Sequence, residues 1–106
     1  MVDERIIEMV REYLNELISN GLKIKKAYIY GSYARGTATE ESDIDLLLIA
    51  PEFDEKIDEY LPLIWLSTRK LNYKIEPVPI GEKKFNENES SPLIESVRNE
   101  GFEVAA

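Results

Sequence analysis

From residue 3 to residue 20 the apolar positions Ile6, Val10, Leu14, Leu17 and Ile18 recur every three or four residues, with Glu8, Arg11, Glu12 and Glu16 on the other faces. That spacing predicts an amphipathic helix, and Asn20-Gly21 supplies its stop. In "KIKKAYIYGS", residues 23–32, β-branched and aromatic residues form a short strand that ends abruptly at Gly31-Ser32. "YARGT" has room for one helical turn, and "TATEE" is a polar loop. "SDIDLLLIA", residues 42–50, is almost continuously apolar at its far end, which predicts a central strand covered on both faces and ended by Pro51.

Residues 53–71 are helical in pattern, but Pro62 falls where a helix interior loses a donor. The expectation is a kink, or a break with Pro62 opening a second helix that carries Leu63, Ile64, Leu66 and Leu71, with Trp65 anchoring its buried face. "YKIEPVPIG", residues 73–81, predicts a third strand whose two prolines place it at an edge. Residues 82–90 are polar and predict a loop. "SPLIESVRNEG" has a capping Ser91, Pro92 at the first helical position, apolar Ile94 and Val97, and a terminal Gly101, so a last helix follows. "FEVA" predicts a closing strand. The order of elements gives an α+β (α/β) fold, a small mixed β-sheet covered by helices, in one domain spanning residues 1–106.

Composition narrows the chemistry. The 106 residues, 43% hydrophobic, suit one compact domain and leave no room for a second substrate domain. Thirteen basic against 21 acidic residues give a formal charge of -8, which repels polyphosphate backbones and makes nucleic acid an unfavourable partner. Any phosphate ligand needs a cation as mediator. With no Cys and no His, thiolate nucleophiles, imidazole bases and soft-metal sites are excluded, and carboxylates, hydroxyls, Lys, Arg and hard cations remain. The charged N-terminal segment and the lack of a long apolar run predict a soluble, cytoplasmic protein without a membrane partner.

In the strand predicted at 42–50, Asp43 and Asp45 share a face with Leu47, their backbones about 6.6 Å apart at roughly 3.3 Å per residue. Two carboxylates beside an apolar core repel unless a proton or a cation lies between them, and Mg²⁺ takes such oxygens while keeping positions open for phosphate and water. Glu76, set in an otherwise apolar strand, is the natural third carboxylate, and three carboxylates can hold two metal ions. Gly31-Ser32, opening a helical turn, offers backbone N–H groups and a hydroxyl as an anion seat. Arg35, one turn on, either touches phosphate or pairs with a carboxylate that shapes the site. Each feature alone also has a structural explanation: a turn, a solvated strand end, an edge charge that deters aggregation, a surface ion pair. Their order is what points to a site.

Gly31-Ser32 followed after ten residues by Asp43-x-Asp45, within "GSYARGTATEESDIDLLLI", resembles the motif of the DNA polymerase β-like nucleotidyltransferase superfamily, and in particular its minimal nucleotidyltransferase (MNT) domains. Ala34-Arg35-Gly36, Ser42 and the apolar run after Asp45 belong to the same pattern. The resemblance implies the polymerase β-like nucleotidyltransferase fold. It implies that Gly31 and Ser32, with Arg35 and Ser42, hold the nucleoside triphosphate, and that Asp43 and Asp45 bind catalytic Mg²⁺ with Glu76 as third carboxylate. The family more often has Asp at that last position. MNT proteins commonly pair with a helical HEPN-type partner in toxin–antitoxin systems. The activity implied is transfer of AMP from ATP to a hydroxyl of the partner; the alternative is an antitoxin that acts by stoichiometric binding without catalysis.

Overall fold

The computed structural model describes residues 2–71, 74–87 and 91–106. Helix α1 (Glu4–Ser19) is capped by the Asp3 carboxylate, which accepts from the Arg5 N–H at 2.8 Å. Strand β1 (Lys26–Tyr30) runs into a one-turn helix α2 (Ser32–Arg35), and β2 (Ile44–Ala50) follows the loop. Pro51–Asp54 form a 3-10 turn before α3 (Ile57–Leu71); β3 (Ile75–Gly81), α4 (Glu82–Glu87), α5 (Pro92–Glu100) and β4 (Phe102–Glu103) complete the order.

The sheet order is β3-β2-β1-β4, with β2 parallel to β3 and the other pairs antiparallel. It is the expected mixed sheet, with β2 inside it. Alternation along β2 divides the core. Ile44, Leu46, Leu48 and Ala50 pack with α1 and α3 on one face, while Leu47 and Ile49 pack with Phe85, Ile94 and Val97 of α4 and α5 on the other. Burial on both faces accounts for the apolar run at residues 46–50.

β3 lies at the edge, where its prolines are tolerated. The Ile44 N–H donates to the Lys74 carbonyl at 2.6 Å, so the even-numbered residues of β3 turn their backbone groups toward β2 and the odd-numbered ones turn theirs outward. Pro77 and Pro79 therefore remove donors from the open side only, and the ladder to β2 is intact.

Four expectations fail. α3 begins at Ile57, not at residue 53, and runs on through Pro62, so of the two arrangements expected there the break that opens a second helix is the one not found. Trp65 is 46% exposed and Leu66 60%, because α3 buries Ile64, Ser67 and Thr68 instead. Ile18 is 40% exposed, because in the last turn of α1 it lies about 100° round the helix from the buried Leu17. Residues 82–87, expected as loop, are helical because the Asp54 carboxylate accepts the Lys83 and Lys84 N–H groups at 3.0 and 3.3 Å, a cap supplied from about thirty positions away. Tyr73 and residues 88–90 of the predicted strand and loop lie outside the described residues.

Candidate active site

The strand register assembles the site. Tyr30, the last residue of β1, stands opposite Asp45, and Asp45 stands opposite Glu76 on β3. All three lie on the Leu47 face of the sheet, and strand alternation carries Asp43, two residues before Asp45, to the same side. Asp43, just before β2, is exposed, Asp45 is half-buried, and Glu76 is exposed at the rim.

The carboxylates feel one another. Loss of water and then the charge of Asp43 raise the Asp45 pKa, and Arg35 partly offsets the rise. Partial desolvation, the charges of Asp43 and Asp45, and a hydrogen bond shared with Asp43 all raise that of Glu76. Carboxylates gathered on one face repel one another, so at neutral pH the cluster favours a cation. Among the described residues no cation lies within ion-pair distance of Asp43, Asp45 or Glu76.

Arg35 instead reaches Glu100 at the end of α5, 3.4 Å away, and so ties the turn to the C-terminal helix. Gly31 sits at φ +73°, and a Cβ there would overlap Asp45 Oδ2 and approach its Cγ to 3.3 Å. The glycine therefore lets the turn rest directly against the carboxylate, in a conformation L side chains rarely adopt. Ser32 opens α2; among the described residues its hydroxyl has no hydrogen-bond partner. The Ser42 hydroxyl accepts from the Thr39 N–H at 2.9 Å and closes the loop before β2. The same loop is held by Tyr33, whose hydroxyl takes a hydrogen bond from Lys74 Nζ at 2.9 Å and donates to the Thr39 carbonyl at 3.4 Å.

The donors suit a hard divalent cation in kind: oxygen only, anionic, crowded and short of counter-charge. Among the described residues no group of three or more Asp, Glu, His or Cys side chains is placed close enough to hold a metal ion as it stands. The fit therefore rests on donor chemistry and a shared face. Tyr30 carries no signal in the linear sequence that sets it apart from the other tyrosines. Its place became visible only through the β1–β2 register, and its phenol pKa is raised by burial and by the charges of Asp45 and Glu76.

A family model described as a nucleotidyltransferase domain matches residues 7–99. The chain belongs to that family. A Methanocaldococcus jannaschii protein named "putative protein adenylyltransferase" is 37% identical over 102 residues, 93% of this chain and 98% of the relative. A second protein of that name and organism is 39% identical over 79 residues, 73% of this chain and 79% of its own. Among solved structures, a "putative nucleotidyltransferase" of Sulfolobus solfataricus superposes with a TM-score of 0.63 at 20% identity, over 93% of this chain and 78% of that one. A structure described as a toxin-antitoxin with AMP-PNP gives 0.57 at 20% identity, over 90% and 72%. Both share the fold. Among the described residues no helix is long and apolar enough to cross a membrane.

Proposed function

We propose that this nucleotidyltransferase moves AMP from ATP to a hydroxyl of a partner protein, as the antitoxin of a toxin–antitoxin pair whose toxin is a helical HEPN-type protein. The observation that carries the reading is the convergence of Asp43, Asp45 and Glu76 on one face beside the Gly31-Ser32 turn. The relatives' names support the reaction, and the toxin-antitoxin neighbour with AMP-PNP supports both a nucleotide and a protein partner. The protein acts in the cytoplasm.

In this reading the N–H groups that open α2 and the Ser32 hydroxyl seat the triphosphate, with Arg35 and Ser42 shaping the loop around it. Asp43 and Asp45, with Glu76 as third carboxylate, would hold Mg²⁺, which when bound neutralises phosphate charge and makes the acceptor oxygen more acidic. The acceptor oxygen bonds to the α-phosphorus as the bridging oxygen leaves with pyrophosphate. Glu76, whose proton affinity is raised, or Asp45, or water takes the acceptor proton.

Purified protein with α-phosphate-labelled ATP, Mg²⁺ and the product of the neighbouring gene is expected to label that product. Asp43→Ala with Asp45→Ala should abolish labelling; unchanged transfer would refute the assignment. The lack of a finished cage among the described residues favours a second reading, inhibition by binding alone. One-to-one neutralisation without nucleotide would support it, and substoichiometric neutralisation that needs ATP would reject it.

A further inference from the structure

The outer side of α3 carries an arrangement that the transfer reaction does not use. Asp58, Glu59, Pro62, Trp65, Leu66, Arg69 and Lys70 are all exposed, and at about 100° per residue they fall within a single arc of roughly 140°. Along that face the first turn is acidic, the middle is apolar and the last turn is basic. The charges alone have an ordinary explanation, since acids at a helix N-terminus and bases at its C-terminus complement the macrodipole. The apolar middle has none. Trp65 and Leu66 are two of the large apolar side chains left most exposed among the described residues, and they stand side by side.

The face is complementary to itself in reverse. In an antiparallel copy centred on residue 64, Asp58 stands opposite Lys70, Glu59 opposite Arg69 and Pro62 opposite Leu66, with the Trp65 rings meeting near the two-fold axis. Each pairing occurs twice, as a two-fold interface requires. Among the described residues Asp58, Glu59 and Arg69 make no ion pair; Lys70 reaches Glu16 of α1 at 3.2 Å and its side chain is 66% exposed. We infer that this face binds a second copy of the chain through an antiparallel α3–α3 contact.

Charge pattern and apolar placement together select this occupant. A parallel copy would set acid against acid and base against base. A helix of 15 residues, about 22 Å long, gives a small interface, so a dissociation constant on the order of micromolar is expected. Two chains of formal charge -8 also repel. The contact is therefore measured at physiological ionic strength, where charges farther apart than about 8 Å are largely screened. α3 covers the sheet face opposite the carboxylates, so both candidate active sites stay open in the pair.

Sedimentation equilibrium of the full chain across a concentration series tests the inference, with circular dichroism confirming that each variant is folded. The wild type is expected to be a reversible dimer. Trp65→Glu should weaken association at least about tenfold, as loss of a central aromatic anchor does. Glu59→Arg should weaken it too, and adding Arg69→Glu in the same chain should restore it. A wild type that stays monomeric throughout would overturn the proposal and leave the face to a different protein. A dimer indifferent to Trp65→Glu, or a double charge exchange that fails to restore what the single one lost, would equally overturn it.

Discussion

Asp45 is where function and stability pull apart. Its pKa is raised in the folded protein by lost hydration and by Asp43, so the native state holds that proton more tightly than the unfolded chain. The contribution of this group is therefore most favourable below the ordinary value near 3.8, and is lost as the pH rises through the raised native value. At neutral pH and without divalent cation, the charge opposes folding. Asp45→Asn should then raise the unfolding free energy by about 0.5 kcal/mol, a modest figure because the group is only partly buried and water screens it. The gain should shrink as the pH falls toward the ordinary carboxylate range, and thermal melts of both proteins across that range measure it. The same substitution should abolish nucleotidyl transfer, because a neutral amide gives up the charge that draws the cation.

At the scale of elements, α3 departs most from its sequence. Pro62 leaves the Asp58 carbonyl without its i+4 donor, yet the helix continues. Ile64 is fully buried, and its carbonyl accepts from the Tyr13 hydroxyl of α1 at 2.9 Å. This tertiary contact holds the segment in place despite the proline. Pro62→Ala should therefore stabilise the protein by about 1–3 kcal/mol, read from urea unfolding, since the site is exposed and the helix already formed. The contrast shows what a linear pattern can carry. The residue 46–50 run and the Ser91-Pro92 start are legible because local patterning and capping decide them. The inward face of α3 is not, because Leu63, Ile64, Trp65 and Leu66 point in nearly every direction around a helix, and only docking on α1 selects among them. Helix α4 is illegible for a related reason, since its cap comes from Asp54. At the site, the spacing of Gly31, Ser32, Asp43 and Asp45 could be read along the chain. The alignment of Tyr30 with Asp45, and of Asp45 with Glu76, needed the sheet.

For the molecule as a whole, the carboxylate cluster brings together two strands and a turn that no disulfide cross-links. A cation bound there stabilises the native state by mass action. Mg²⁺ at about 100 times its dissociation constant should add about 2.7 kcal/mol to the unfolding free energy of the wild type, and Asp43→Asn with Asp45→Asn should remove the increment; differential scanning calorimetry with and without chelator tests both. The sheet that carries the cluster has a further property, set by its margins. On one side the outward amides of β3 are interrupted at Pro77 and Pro79, and on the other β4 is only two residues long. Neither margin presents an unbroken row of donors and acceptors on which a stray strand could settle. Molecules crowded together at high expression therefore meet sheet margins that resist cross-β growth, and among the described residues the adjacent pair of exposed large apolar side chains, Trp65 and Leu66, lies on a helix.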